Sequence, residues 1–300
     1  MNYGRTSLRR RAKQLDARGT RIRHKIGVIL GKLLLIGIIV GGCATVSFGV
    51  GAFKGILASA PDISEVDVIP TGYSTKVLAA DGSETAKLVA AGSNRQYVTI
   101  DQIPENLQHA VVAIEDERFY DHNGIDLKGI VRALVADVRT RDFSQGASTL
   151  TQQLIKNNVL SEQWANENDS NISKMEKMER QVQRKIQEQY LAIELEKKVN
   201  DKNWILENYL NSINLGSNTL GVQAAAQRYF GKDVSKLTLS ECAVIAGITK
   251  NPAGYNPILH PKENAKRRKN VLDAMKKQGY ISQKQYDLSL IHISEPTRRS

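Results

Sequence analysis

Cysteine is almost missing from this 300-residue chain, which has two, at positions 43 and 242. Cys43 lies in a long apolar run and Cys242 in the segment LSECAVIAGI. The two cannot sensibly pair, so the part that follows the apolar run must fold by burying a core, without disulfides. Internal repeats are also lacking. No S-x-x-K and no K-T-G occurs anywhere, which excludes the serine acyl-transfer site built from those motifs. Net basic charge is small outside the first residues: of the formal +11, residues 1–32 carry ten Lys or Arg against one acid, Asp16, leaving +2 for everything beyond. That distribution excludes a nucleic-acid surface on the body of the protein, and no nucleic-acid partner is expected.

What is present begins with that basic tail. Leu33–Phe53, LLLIGIIVGGCATVSFGVGAF, is 21 uncharged residues between Lys32 and Lys54. As a helix it spans ~30 Å, the thickness of a bilayer core. The basic residues before it place the N-terminus in the cytoplasm and the remainder outside. The run is too long for a signal peptide and shows no small-x-small cleavage site. Val40-Gly-Gly-Cys43 resembles a lipoprotein processing site, but Cys43 reads better as a small residue of the membrane helix. The chain then divides into a juxtamembrane stalk at 54–105 and a mostly helical domain at 106–287. In the stalk, Thr75–Val89 predicts a β-hairpin turning at Asp81-Gly82.

Within the helical domain, Ile125, Leu127, Ile130, Val131, Leu134, Val135 and Val138 fall at helical spacing. Ser148 predicts a cap for a helix through Asn157, residues 174–199 a long charged helix, and Asn203–Asn211 a shorter one. Thr238-x-x-Glu241 predicts a capping box on the apolar helix that ends near Ile248. Residues 161–173 read as a polar loop or insertion.

Three segments carry candidate chemistry. Ile114–Asp126, IEDERFYDHNGID, ends the apolar run AVVAI with Glu115 and Asp116. It reads either as an ordinary helix end with a turn or as an active-site carboxylate whose lost hydration raises its pKa toward proton transfer. In the second segment, Gly146–Asn157, Leu150, Leu154 and Ile155 account for the buried face. Gln152, Gln153 and Lys156 are then left to be explained. In the third, Arg180, Arg184 and Glu188 share one helix stripe with Lys185 beside it. This is either a solvated face laced with salt bridges or a cradle for a diphosphate. Residues 205–211 and 221–232 read as core packing.

Together these segments resemble the motifs of the peptidoglycan glycosyltransferases, glycosyltransferase family 51, found in class A penicillin-binding proteins. The pattern E-D-x-x-F-x-x-H-x-G is matched by Glu115, Asp116, Phe119, His122 and Gly124. The pattern G-x-S-T-x-T-Q-Q is matched by Gly146, Ser148, Thr149, Thr151, Gln152 and Gln153. R-K-x-x-E is matched by Arg184, Lys185 and Glu188, and I-L-E-x-Y-L-N from Ile205 onward.

The resemblance implies a mainly α, lysozyme-like domain that polymerises lipid II into glycan strands at the bacterial membrane. It implies Glu115 as the general base and Glu188 as a second essential carboxylate assisting the leaving diphosphate, directly or through a divalent ion such as Mg or Mn. Asp116, Ser148, Thr149, Gln152, Gln153, Lys156, Arg180, Arg184 and Lys185 are expected to bind substrate. Phe119, His122 and Gly124 are expected to support the base. An apolar wall of Val111, Val112 and Ile114 is expected to raise the pKa of Glu115. No cofactor is demanded and no metal ligand is assigned. His122 and Asp126 could hold an ion but read as hydrogen-bonded structural groups.

Partners expected are lipid II, the nascent strand, the bilayer and other cell-wall synthesis proteins. The transpeptidase half of a bifunctional protein is expected to be missing from these residues. Leu288–Arg298, LSLIHISEPTR, resembles a translated sequencing adapter, so 288–300 is expected to be foreign. Two other readings fit part of the pattern: a glycan hydrolase, which would need no diphosphate cradle, and a non-catalytic membrane-tethered scaffold.

Overall fold

The computed structural model describes residues 4–15, 18–63, 68–70, 75–88, 95–140, 146–161, 163–164 and 172–291. The chain divides into two compact units, Met1–Ser59 and Ala60–Ser300. The first unit holds α1 (Arg5–Leu15) and α2 (Arg18–Ala58). The apolar run Leu33–Phe53 is the middle of α2, whose stretch Ile22–Ala58 is long and apolar enough to cross a membrane. At ~1.5 Å per residue those 37 residues exceed the ~30 Å bilayer core. Their apolar side chains are exposed, Leu34 and Phe48 among them.

In the second unit β1 (Thr75–Leu78) pairs antiparallel with β2 (Glu84–Leu88), with an irregularity between Val77 and Leu78. The Asp81 carboxylate accepts the backbone N–H and the hydroxyl of Ser83. Gly82 takes the positive φ of 82° that the turn needs.

The remainder is helical: α3 (Glu105–Glu115), α4 (Leu127–Thr140), α5 (Leu150–Asn158), α6 (Lys174–Val199), α7 (Lys202–Ser212), α8 (Val222–Phe230), α9 (Leu239–Ile248), α10 (Pro261–Lys277) and α11 (Gln283–Ile291). The mainly α class expected from the sequence is what the structure has. Helix α9 is apolar on every side, and such a helix must be interior. Every residue from Ser240 to Ile248 is buried, with α3, α8, α10 and α11 packed around it. The Thr238–Glu241 capping box forms as expected. Glu241 is also paired with Lys232 at 2.8 Å. Burial pushes its carboxyl up, but Lys232 and Thr238 outweigh that and hold it below the usual value.

Helix α5 packs between α6 and α7. Its cap is Thr149 and not Ser148: the Thr149 hydroxyl accepts the N–H of Gln152. The difference of one residue frees Ser148 for the cleft described below.

Helix α4 keeps the expected period but not an inward face throughout. Leu127, Val131 and Val135, at i, i+4 and i+8, are 65, 61 and 49% exposed. Most of the loop at 161–173 lies outside the described residues, although Trp164 at its start donates to Gln187. The boundary expected at Asp287 falls inside α11, and residues 292–300 lie outside the described residues.

Candidate active site

Glu115 is the last residue of α3. Leu107, Ala110, Val111 and Val112 anchor that helix in the core with no exposed surface. Asp116 breaks it at φ −153°, so the Glu115 side chain emerges at the rim of a cleft of about 720 Å³. Gln153 Nε2 donates to Oε2 at 3.2 Å. Thr249 Oγ1 lies 2.6 Å from Oε1, and the Arg267 guanidinium approaches Oε1 to 3.7 Å. The expected apolar wall is therefore not what meets the carboxylate. Val111 and Val112 face the core, only Ile114 lines the cleft, and polar groups surround the oxygens. The reason is geometric: α3 turns its apolar stripe onto α9 and α10 and projects its last residue away from them.

Gln153 is itself held by Tyr209, whose hydroxyl donates to Gln153 Oε1 at 3.1 Å. Complete burial, and then the charges of Glu115 and Asp116, push the Tyr209 phenol well above its ordinary value. It stays a neutral donor throughout the physiological range.

Across the cleft, α6 presents a compact ionic cluster. Glu188, 2% exposed, is paired with Arg184 one turn back and with Lys185 Nζ at 3.0 Å. Lys185 also donates to Ser148 Oγ at 2.6 Å and to Gln152 Oε1 at 3.2 Å, which ties α6 to the start of α5. Lys156, in the last turn of α5, opens onto the same space. The structure thus brings Glu115, Ser148, Gln152, Gln153, Lys156, Arg184, Lys185 and Glu188 into one cleft.

Three expected substrate-binding residues do not join them. The Asp116 carboxylate is buried behind the cleft, 3.0 Å from His122 Nε2, and accepts the Leu150 N–H at 2.9 Å. The carboxyl that ends α3 therefore fixes the start of α5. Thr149, 1% exposed, spends its hydroxyl as the α5 cap and as a donor to the Gly124 carbonyl at 2.7 Å. Arg180 lies one turn further along α6 and pairs with Glu176 at 2.9 Å, outside the cleft.

The loop after α3 is pinned from several sides. Phe119 is fully buried under the Lys202 ammonium, 4.6 Å from its ring centre. Lys202 also donates to the His122 carbonyl at 2.6 Å. Gly124 adopts φ +89°, and a Cβ there would fall 2.6 Å from the backbone of Ala192 on α6. Gly124→Ala combines a left-handed conformation with a backbone clash, at a cost of about 3 kcal/mol or more. The expected result is a Tm lowered by roughly 6–12 °C in thermal unfolding followed by circular dichroism. An unchanged Tm would show that α6 and the loop can separate freely.

Asp126 is engaged by Arg118 and by the Gly129 N–H. Burial opposes its charge, but these partners outweigh it and hold the carboxyl low. His122 is bound through Nε2 to Asp116, so both it and Asp126 take the hydrogen-bonded structural role expected of them. No group of three or more His, Cys, Asp or Glu among the described residues is placed to hold a metal ion.

Thr249, Lys250 and Arg267 line the cleft without any motif announcing them. Thr249 and Lys250 do have a readable signal, because they end the buried helix α9 just as Glu115 ends α3. Arg267 sits in the basic run KENAKRRKN, which reads as a solvated face.

The site is a cleft in a mainly helical domain, with a carboxylate at a buried helix end facing cations clustered on a second carboxylate. The family model described as "Transglycosylase" matches residues 81–276. The chain is 39% identical over 256 residues to penicillin-binding protein 1A/1B of Bacillus subtilis, covering 85% of this chain and 25% of that protein. It is 41% identical over 238 residues to penicillin-binding protein 1A of Escherichia coli, covering 79% and 26%. For penicillin-binding protein 1A of Aquifex aeolicus the identity is 46% over 193 residues, covering 64% and 24%. A crystal structure of penicillin-binding protein 1A from Haemophilus influenzae aligns with a TM-score of 0.41 at 25% identity, over 76% of this chain and 22% of that one. The chain belongs to the transglycosylase family, the peptidoglycan glycosyltransferase domain of class A penicillin-binding proteins. It spans about a quarter of the length of these relatives.

Proposed function

We propose that this protein polymerises lipid II into β-1,4 glycan strands, as the glycosyltransferase part of a bifunctional penicillin-binding protein. The 4-hydroxyl oxygen of the acceptor sugar attacks C1 of the growing chain. The C1–O bond to the diphosphate breaks with inversion, undecaprenyl diphosphate leaves, and the hydroxyl proton passes to Glu115. Lys156, Arg184 and Lys185 receive the charge that develops on the diphosphate, and the guanidinium suits two of its oxygens at once. Glu188 holds Arg184 and Lys185 in place for that task. The observation that carries the reading is the shared cleft, with Glu115 on one wall and the Arg184–Lys185–Glu188 cluster on the other. A hydrolase would have no use for that cluster.

Both oxygens of Glu188 are already engaged by cations. A divalent ion would therefore have to arrive on the diphosphate itself, which is how Mg²⁺ commonly binds. The basic tail favours a cytoplasmic N-terminus and an external domain, where α2 holds the enzyme beside its lipid-linked substrate. Protease added outside intact spheroplasts should then degrade the domain and spare the tail, and the reverse pattern would overturn this topology.

The function is tested with the detergent-extracted protein and labelled lipid II, with and without chelator. Glycan polymer is expected, and its absence under both conditions would refute the reading. Polymer that survives chelation assigns the leaving group to the side-chain cations alone. Arg184→Ala removes a charge-assisted contact and should weaken lipid II binding about tenfold to a hundredfold. An unchanged Kd would count against the cradle.

A further inference from the structure

Thr249 has one hydroxyl proton and two partners. Its Oγ1 lies 2.8 Å from the Ala246 carbonyl oxygen, one turn back on α9, and 2.6 Å from Glu115 Oε1. A hydroxyl donates once and accepts twice, whereas a carbonyl oxygen only accepts. Both contacts can be full two-centre hydrogen bonds together only when Thr249 donates to Ala246 and a protonated Glu115 donates to Thr249; otherwise one proton is shared between two acceptors. With Glu115 ionised, the hydroxyl turns and donates to the carboxylate instead.

We propose that Thr249 is a positioning residue whose hydroxyl rotates between these two arrangements, so that Glu115 keeps a hydrogen-bond partner before and after it takes the proton. The proposal rests on Glu115 being the general base. The balance is simple. The proton leaves the acceptor hydroxyl and lands on Glu115 Oε1, which becomes a donor to Thr249 Oγ1. Thr249 keeps its own proton and redirects it to the Ala246 carbonyl, and no other bond to hydrogen changes. The carboxyl group need not move, which matters because sub-ångström placement of a base governs its efficiency.

The charged and titratable groups around Glu115 are Arg267 on α10, Tyr209 on α7 behind Gln153, Asp116 next in the chain, Lys250 after α9, Lys156 on α5, and the Arg184–Lys185–Glu188 cluster across the cleft. None of these supplies a hydroxyl that can serve as donor in one charge state and acceptor in the other at Oε1.

The test is the rate of lipid II polymerisation against pH, on the detergent-solubilised full chain, for Thr249→Val, Thr249→Ser and Glu115→Gln. Hydrogen bonds to a charged group are about twice as strong as neutral ones. Losing the hydroxyl therefore harms the ionised base more than the protonated one. In T249V the acid limb of the kcat profile should move up by about one pH unit. Its kcat near neutral pH should fall about tenfold, with KM for lipid II held within about twofold. T249S should restore both.

An acid limb that stays in place in T249V, or one that T249S fails to restore, would overturn the rotor. Circular dichroism melts accompany each variant, and Thr249→Ala replaces the Val variant if the latter loses its fold. Glu115→Gln separates the two claims. If E115Q still polymerises, the base assignment falls and the rotor with it. If E115Q is inactive and T249V is unshifted, only the rotor falls.

Discussion

Glu115→Gln is expected to lower polymer formation from lipid II by about 10²- to 10⁴-fold, the range that a positioned general base contributes. The substitution changes almost nothing else. Gln is isosteric, its amide can still meet Gln153 and the Thr249 hydroxyl, and α3 remains anchored by core residues with no exposed surface. Arg267 loses a charged partner at 3.7 Å, and both side chains are largely buried, but the Gln amide oxygen remains there as an acceptor. The Tm should move by no more than about 4 °C. Lipid II affinity should stay close to that of the parent, because the base is needed in the transition state and not for binding. Near-parental polymer from a folded Glu115→Gln protein would remove the base from the proposed mechanism. A large fall in Tm would instead move Glu115 from catalysis to structure.

Glu188→Gln should be the second most damaging change, for a different reason. Glu188 is buried, and both its oxygens are used by Arg184 and Lys185. Neutralising it removes the negative charge that Arg184 and Lys185 share on α6. Lys185 keeps Ser148 and Gln152 as acceptors, and the Arg184 contact to residue 188, one turn on, is weakened. The loss of charge-assisted bonds should cost about 1–3 kcal/mol of stability, read as a Tm lowered by roughly 2–12 °C. Catalysis should fall about 10²-fold or more, because preorganised charge is worth most where the leaving group develops its own. Arg184→Ala and Glu188→Gln should also combine with less than additive loss, since each disturbs the same pair. Strict additivity of the two would show that Glu188 acts on the substrate independently of Arg184.

Much of this molecule is legible in its order of residues. The basic tail and apolar run identify α2, because a bilayer sets a length and a composition that no tertiary contact needs to supply. The helical class follows from 3.6-residue periodicity and from caps such as Thr238–Glu241, which act within one turn. The stripe of Arg184 and Glu188 is local for the same reason. Errors appear where a side chain has two local choices. Ser148 and Thr149 are both good caps, and only the Gly124 carbonyl waiting 2.7 Å from the Thr149 hydroxyl selects the latter. Likewise Glu115 and Asp116 are adjacent carboxylates, and His122 with the α5 N-terminus draws Asp116 inward.

By itself, then, the sequence determined the helices, the membrane-length span and the carboxylate at the end of α3, all of which depend on neighbours within a few residues. Only the tertiary structure decided which carboxylate faces the cleft and what touches it. Thr249 stands 134 residues from Glu115, and Arg267 is further along still. Periodicity tells a helix which face to bury, not which partner will cover it. The packing of α9 and α10 around the end of α3 is what sets the polar partners of that carboxylate in the cleft.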